Sequence, residues 1–221
     1  MFPQFRTRSY RAIRGSALAG VVLALGLALT GCGPATAGAA VIIDGQRVPI
    51  SVIQDKVEAV TAARAQGGLE QISPDVLARE QIQRLISHEV VVRAGAQRGI
   101  TVSDGEIDKT IADLETQFGG EQAFQDQVTA QNIAPGDLRT FVQDFLTGDA
   151  LTKDVSGGAT SEAELAAAQE QINALLNETA QSLEVRVNPR YGVWDPRTGQ
   201  ISDAASDLSV PETPATVAPG Q

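Results

Sequence analysis

Apolar side chains recur every three or four positions between residues 50 and 181, and this spacing predicts a mainly helical protein. Six helices are expected, because Gly, Pro and Ser residues interrupt the pattern at intervals. Five of the expected starts lie near Pro49, Ser73, Ser103, Ala134 and Ser161, and a short fourth helix carries Phe124 and Val128. The second is the longest and should form the spine of the domain.

The helix starts carry local signals of their own. Ser73 followed by Pro74 is typical of an N-cap and first helical residue, and Ser103 with Glu106 forms a capping-box pattern. The fifth helix has the clearest amphipathic stripe. That stripe consists of Leu138, Phe141, Val142, Phe145 and Leu146.

Two short stretches differ from the helical pattern and lie at opposite ends of the ordered region. Val41–Ile43 is apolar and β-branched, and Asp44-Gly45 after it predicts a tight turn. Leu183–Asn188 alternates like a half-buried strand before Pro189. A lone short strand is unstable, so the two are expected to pair. The fold class is therefore mainly α, with a small two-stranded β element joining the N- and C-terminal ends.

The first 31 residues have the pattern of an export signal. Arg6, Arg8, Arg11 and Arg14 precede the uncharged apolar run Ser16–Leu29. A basic region followed by a short apolar segment is typical of a secretory signal peptide. An uncleaved anchor helix is the alternative, but the run is short for a membrane span.

Leu29-Thr30-Gly31-Cys32 ends this signal and resembles a bacterial lipobox, and Cys32 is the only cysteine in the chain. The resemblance implies cleavage before Cys32 and transfer of a diacylglycerol to its thiol. Fatty acyl chains such as palmitate would then hold the protein on the membrane. The expected location is the outer face of the bacterial cytoplasmic membrane or another part of the envelope.

These patterns divide the chain into four parts. Residues 1–31 are the signal peptide, and residues 32–40 are small and read as a flexible linker. Residues 41–201 form the helical domain. Residues 202–221 contain three Pro and few large apolar side chains, which predicts a disordered tail.

Composition excludes several classes of function. The formal net charge is −10, so the protein would repel the phosphate backbone of nucleic acids. One Cys and one His exclude a disulfide framework and the usual Cys/His zinc sites. No phosphate-binding Gly-rich loop ending in Lys is present, so ATP is not expected. Neither a metal nor any other cofactor is expected.

Two local groups could suggest chemistry and have simpler explanations. His88 lies inside the second helix without a nucleophile nearby in sequence, so an ordinary hydrogen bond is favoured over a general-base role. Asp104, Glu106 and Asp108 lack the spacing of an EF-hand. A capped first helical turn, stabilised by the helix dipole, explains them better.

Several segments together resemble the SurA/PrsA-type extracytoplasmic chaperones. The resemblance covers about residues 41–195 and depends on the order of these segments. They are the opening Val41–Val48, the second helix with Leu85, Ile86 and Ala94, the stretch Arg98–Ile107, the block from Phe118 to Phe124, the stretch Asn132–Arg139 and the closing Val185–Gly192.

One departure from this family affects the expected activity. Its members usually carry parvulin-type prolyl isomerase domains, which need on the order of 90 residues, between the last helix and the final strand. Here Leu183 follows the sixth helix directly. The resemblance also implies what an isomerase site would need, since parvulin-type sites usually contain a pair of His with a Cys or Asp. This chain has only His88 and Cys32. The resemblance therefore implies the chaperone lobe without the isomerase, and the protein is not expected to be an enzyme.

The expected function is a lipid-anchored holdase for unfolded, newly exported polypeptides. Shallow apolar grooves between helices would cover exposed client side chains. The candidate client-binding residues are Phe118, Phe124, Phe141, Phe145, Tyr191 and Trp194. For the four Phe, and for Tyr191 and Trp194, a place in the core is favoured over one in a groove. The alternatives are an accessory lipoprotein with one dedicated envelope partner and a divergent peptidyl-prolyl isomerase.

Overall fold

The computed structural model describes residues Thr36–Ser202. The predicted signal peptide, the acylation of Cys32 and all but the first residue of the predicted tail lie outside these residues. Within them the mainly helical fold is confirmed, and six α-helices occur where the apolar spacing placed them. They are α1 (Ile50–Gln66), α2 (Pro74–Gln97), α3 (Asp104–Phe118), α4 (Glu121–Ala130), α5 (Leu138–Ser156) and α6 (Glu162–Ser182). None of the described helices is long and apolar enough to cross a membrane.

The two ends of the domain meet in one antiparallel sheet. Strand β1 (Ala39–Ile43) turns through Asp44 and Gly45, both with positive φ, into β2 (Gln46–Pro49). Two consecutive positive φ values suit the tight turns of β-hairpins, which explains the Asp-Gly pair. Strand β3 (Val185–Val187) pairs with the other edge of β1, so the predicted pairing of the two ends is confirmed.

The β structure is larger than expected in two respects. The sheet has three strands in the order β2-β1-β3, because Gln46–Pro49 folds back on β1. A second hairpin, β4 (Val193–Asp195) with β5 (Gln200–Ser202), follows β3. Ser202 therefore belongs to a strand, and its assignment to the disordered tail was wrong.

The predicted linker also extends too far. Ala39 and Ala40 lie in β1 and are fully buried, and Thr36 before them is buried as well. Small side chains in this stretch indicated flexibility, but here they allow close packing under the helices. The ordered domain starts before residue 41.

The main core lies between the sheet and the inner face of α2. This face carries Leu77, Ile82 and Ile86, each with no exposed surface. They pack with β1 and with Ile53 and Val60 of α1. Burying a side chain of this size contributes about 1.5–3 kcal/mol, so α2 is the spine of the domain, as predicted.

A smaller core joins α3, α4 and the start of α5. Phe124, Val128 and Ile133 are buried in it. Ser103 caps α3 in a capping box with Glu106, as predicted, and Arg139 of α5 pairs with Asp104 and Asp108. The acidic first turn of α3 therefore stabilises the helix start and attaches it to α5.

Candidate functional site

A groove of about 800 Å³ runs along the outer face of α2. Val76, Glu80, Arg84, Ser87 and Val91 of α2 line it at intervals of three or four residues, which places them on one side of the helix. The inner face of the same helix lies in the main core. One face of α2 thus packs in the main core, and another face lines a surface groove.

Two other elements form the remaining walls of this groove. Thr140, Phe141 and Asp144 come from the first turns of α5, and Gln200 and Ile201 come from β5. We call it the α2 groove. Its apolar lining consists of Val76, Leu85, Val91, Ile133, Phe141 and Ile201.

Gln83 of α2 holds the β4–β5 hairpin at the groove. Its Nε2 donates to the carbonyl of Gly199 at 2.7 Å, and its Oε1 accepts from the backbone N–H of Ile201 at 3.0 Å. One side chain thus satisfies a donor and an acceptor of the hairpin, much as a neighbouring strand would. The position of Ile201 in the groove wall depends on this contact.

A polar network fixes the end of the groove formed by the turn between α4 and α5. Asn132 Nδ2 donates to Glu80 Oε2 at 2.8 Å, and Asn132 Oδ1 accepts from Arg64 Nη1 at 2.7 Å. The Asn132 carbonyl also accepts from Gln81 Nε2 at 2.9 Å. Asn132 therefore connects α1, α2 and the approach to α5.

Charged side chains in the α2 groove balance one another. The basic residues Lys56, Arg79 and Arg84 face an equal number of acidic ones, Glu80, Asp137 and Asp144. Lys56 pairs with Asp137 in the lining, which links α1 to the residue that precedes α5. The groove is thus close to neutral in a chain whose net charge is −10.

His88 adds a titratable group to this lining. Its Nδ1 lies 2.6 Å from Asp144 Oδ1, so the hydrogen bond expected for His88 is present and its partner is in α5. The hydrogen bond to Asp144 raises the pKa of His88, and the charges of Asp144, Glu89 and Asp137 act in the same direction, while partial burial opposes them. The pair connects the two helical walls of the groove.

The stability contributed by this pair should decrease as the pH rises. A raised pKa in the folded state means that the contribution is complete below the ordinary His pKa of about 6.5 and is lost as the pH passes the folded-state value. We expect the free energy of unfolding of wild type to exceed that of His88→Gln by about 1 kcal/mol at low pH. This difference should shrink at alkaline pH. Urea denaturation of both proteins across this range measures it. A difference that grows with pH would contradict the assignment.

The lining of the α2 groove mixes apolar and charged side chains. Six apolar side chains share it with the pairs Lys56–Asp137 and His88–Asp144, a mixture typical of sites for partly apolar ligands. Among residues 36–202 no group of three or more His, Cys, Asp or Glu side chains is placed to hold a metal ion.

The structure separates the aromatic residues that the sequence analysis grouped as client-binding. Phe141 lines the α2 groove and is half-buried. Phe118 and Phe145 are 43% and 56% exposed but do not line it. Phe124 and Tyr191 are buried in the cores, and Tyr191 also lines a cavity between α1 and the start of α2, so client binding by these two residues stays a prediction. Trp194 is partly buried against the main core.

Sequence reasoning missed most of the groove. Val76 and Val91 do not share the inner face of α2, whereas Leu85 also packs against the main core. The two valines are the signal that could have indicated a second apolar surface. Ile201 could not be found in this way, because a three-residue strand has no clear period. Cys32, the predicted acylation site, lies outside the described residues.

Comparison with known families gives one match. A model described as the SurA-like N-terminal domain matches residues 1–151, which is more than half of the chain. The match ends inside α5, so α6 and strands β3–β5 lie beyond it. Val185–Gly192, which resembles the final strand of the chaperones, is therefore not tested by this match. No curated protein and no solved structure matches the chain.

Proposed function

Because the chain belongs to the SurA-like N-terminal domain family, which is extracytoplasmic and chaperone-related, we propose that it is a lipid-anchored holdase for unfolded exported polypeptides. The observation that carries this proposal is the α2 groove, with its apolar lining and balanced charges. Clients would bind there with one or a few apolar side chains against Val76, Leu85 and Phe141.

The mechanism needs only reversible burial of apolar surface. Each Å² of client surface that the groove covers contributes about 25 cal/mol, so a few side chains give weak and short-lived binding. Such binding prevents clients from associating while still allowing them to leave and fold. The acidic remainder of the chain keeps the loaded proteins apart.

The lipid anchor is the second part of the proposal. The motif ending at Cys32 supports it, and Thr36, the first described residue, follows only four positions later. Four extended residues reach about 14 Å, so acylation of Cys32 would keep the domain next to the bilayer. Clients would then be bound where they leave the export machinery.

The third part is the lack of prolyl isomerase activity. In this chain α6 ends at Ser182 and β3 begins at Val185, at the point where related chaperones carry the isomerase. Two residues cannot hold a domain. The proposal is therefore a binding function without catalysis.

An aggregation assay tests the groove. The chain from Gly33 to Gln221 is added to an unfolded exported protein on dilution from denaturant, and light scattering is followed. We expect dose-dependent suppression by wild type, and we expect Val76→Lys to need about five times more protein, because a charge replaces an exposed part of the apolar lining.

Val52→Lys is the matched control for this assay. Val52 lies on α1 and is 37% exposed, close to the 45% of Val76, but does not line the groove. An equal loss of aggregation suppression in both variants would argue against the α2 groove as the client-binding site. No suppression by wild type would contradict the holdase and favour a dedicated envelope partner, which a pull-down would show as one stoichiometric protein.

A further inference from the structure

The described part of the chain ends at the wall of the α2 groove. Gln200 and Ile201 of β5 line the groove, and Ser202 after them is the last described residue. The contacts of Gln83 with Gly199 and Ile201 hold this strand against the middle of α2. The segment 203–221 therefore begins beside the proposed client site.

The groove is within reach of the first large apolar side chains of that segment. Leu208 is six residues beyond Ser202, a distance of up to about 20 Å for an extended chain. The groove face of α2 from Val76 to Val91 is about 22 Å long, and the strand is attached near its middle. Leu208 can reach either end.

The order of residues around Leu208 also suits the groove. In an extended chain Leu208 and Val210 point to the same side, while Ser209 points to the other. One face would thus meet the apolar lining and the other would meet water. This is the same pattern that a bound client segment would present.

Charge distinguishes the α2 groove from two other cavities of the described region. The segment 203–221 carries Asp203, Asp207 and Glu212 and no basic residue. The cavity between α1 and the start of α2 has Glu58 and Asp75 against Arg190 alone.

The second of those cavities, between α1 and α4, has Asp126 as its single charged residue. Both cavities are thus net negative, whereas the charges of the α2 groove balance and His88 can add a positive one. An acidic segment is repelled least by the α2 groove.

We propose that the segment around Leu208–Val210 docks in the α2 groove of its own chain and that clients must displace it. The docking is inferred from the properties of the groove alone, whereas the competition with clients rests on the proposed function. A short tether gives an effective concentration on the order of 1 mM, so an intrinsic Kd of about 0.1 mM would weaken apparent client affinity roughly tenfold. The segment would keep the apolar lining covered when no client is present.

Site-specific photocrosslinking tests the docking directly. The full chain in lipid nanodiscs carries Leu208→benzoylphenylalanine, and mass spectrometry locates the crosslinked residues. We expect crosslinks within a chain to residues 76–91 or 137–144, and a reduction of several-fold when Val76→Lys is added. Val217→benzoylphenylalanine is the matched control and should give few crosslinks to these residues. Crosslinks spread over other surfaces, or formed mainly between chains, would overturn the docking.

Client affinity tests the competition. The probe is a fluorescein-labelled protein kept unfolded by reduction and carboxymethylation, and its Kd is measured by anisotropy. Leu208→Asp with Val210→Asp should bind it at least about threefold more tightly than wild type.

Two outcomes separate this inference from the proposed function. Unchanged affinity in the double variant, with wild type binding the probe, would overturn the competition while the holdase stands. Specific crosslinks into the groove without probe binding by either protein would support the docking and contradict the holdase.

Discussion

Replacing Asn132 by alanine should lower the free energy of unfolding by about 3 kcal/mol. The change removes the acceptor of Arg64 and the donor to Glu80. Arg64 is buried, so its guanidinium loses a partner without gaining access to water. Asn132 also has φ of 59°, a conformation that alanine adopts at a cost of about 1 kcal/mol. Urea denaturation followed by circular dichroism measures the loss.

Asn132→Gly is the matched control, because glycine tolerates the positive φ but supplies neither side-chain hydrogen bond. We expect it to be destabilised as well, but by less than Asn132→Ala. The difference in the free energy of unfolding between the two variants measures the cost of the positive φ in alanine. The loss that the glycine variant still shows measures the contribution of the two side-chain hydrogen bonds. Near-wild-type stability of the glycine variant would show that the network with Arg64 and Glu80 contributes little.

Gly95→Ala should destabilise the domain by about 2 kcal/mol. A Cβ at this position would lie 2.6 Å from Thr147 Cγ2, which is closer than van der Waals contact allows. Thr147 cannot easily turn away, because its hydroxyl donates to the carbonyl of Gln143 at 2.8 Å. The substitution therefore pushes α2 away from α5. The free energy of unfolding in urea is again the measurement.

Two further variants distinguish this clash from a general effect of replacing glycine. Gly148 lies in α5, and a Cβ added there would meet no other atom within 4 Å. Gly148→Ala should therefore stabilise the domain by up to about 1 kcal/mol through its higher helix propensity. Thr147→Ser removes the methyl group that clashes and should restore most of the stability of Gly95→Ala. Failure of this rescue would show that the close approach of the helices is not the cause.

Both substitutions act on the elements that form the α2 groove. Asn132 precedes α5 and contacts α2, and Gly95 sets the distance between the same two helices. His88 and Asp144 bridge them farther along. Loss of client binding in these variants, measured at a temperature where they remain folded, would follow from displaced groove walls.

The helices could be predicted because their signals are local. The spacing of Ile82, Ile86 and Val90 identifies the inner face of α2, and Ser103 with Glu106 marks the start of α3. These signals depend on residues three or four positions apart, which one helix brings together without help from the rest of the fold.

The groove depends on contacts between distant segments, and this limited its prediction. Phe124 and Phe141 both lie on apolar stripes, yet one is 3% exposed and the other lines the groove. Only the packing of α4 and α5 against other elements decides between these outcomes. The β4–β5 hairpin was missed because three-residue strands are too short to show alternation.

The pairing of β1 with β3 also determines when the domain can be completed during export. Val41 pairs with Val187, so the sheet joins residues from nearly opposite ends of the described chain. A contact of such large sequence separation forms late, because closing a long loop costs entropy. While the chain emerges from its N-terminus, one edge of β1 has no partner strand, and the main core around α2 is incomplete until β3 is available. A protein proposed to protect unfinished chains is thus itself unfinished until β3 has followed β1 across the membrane.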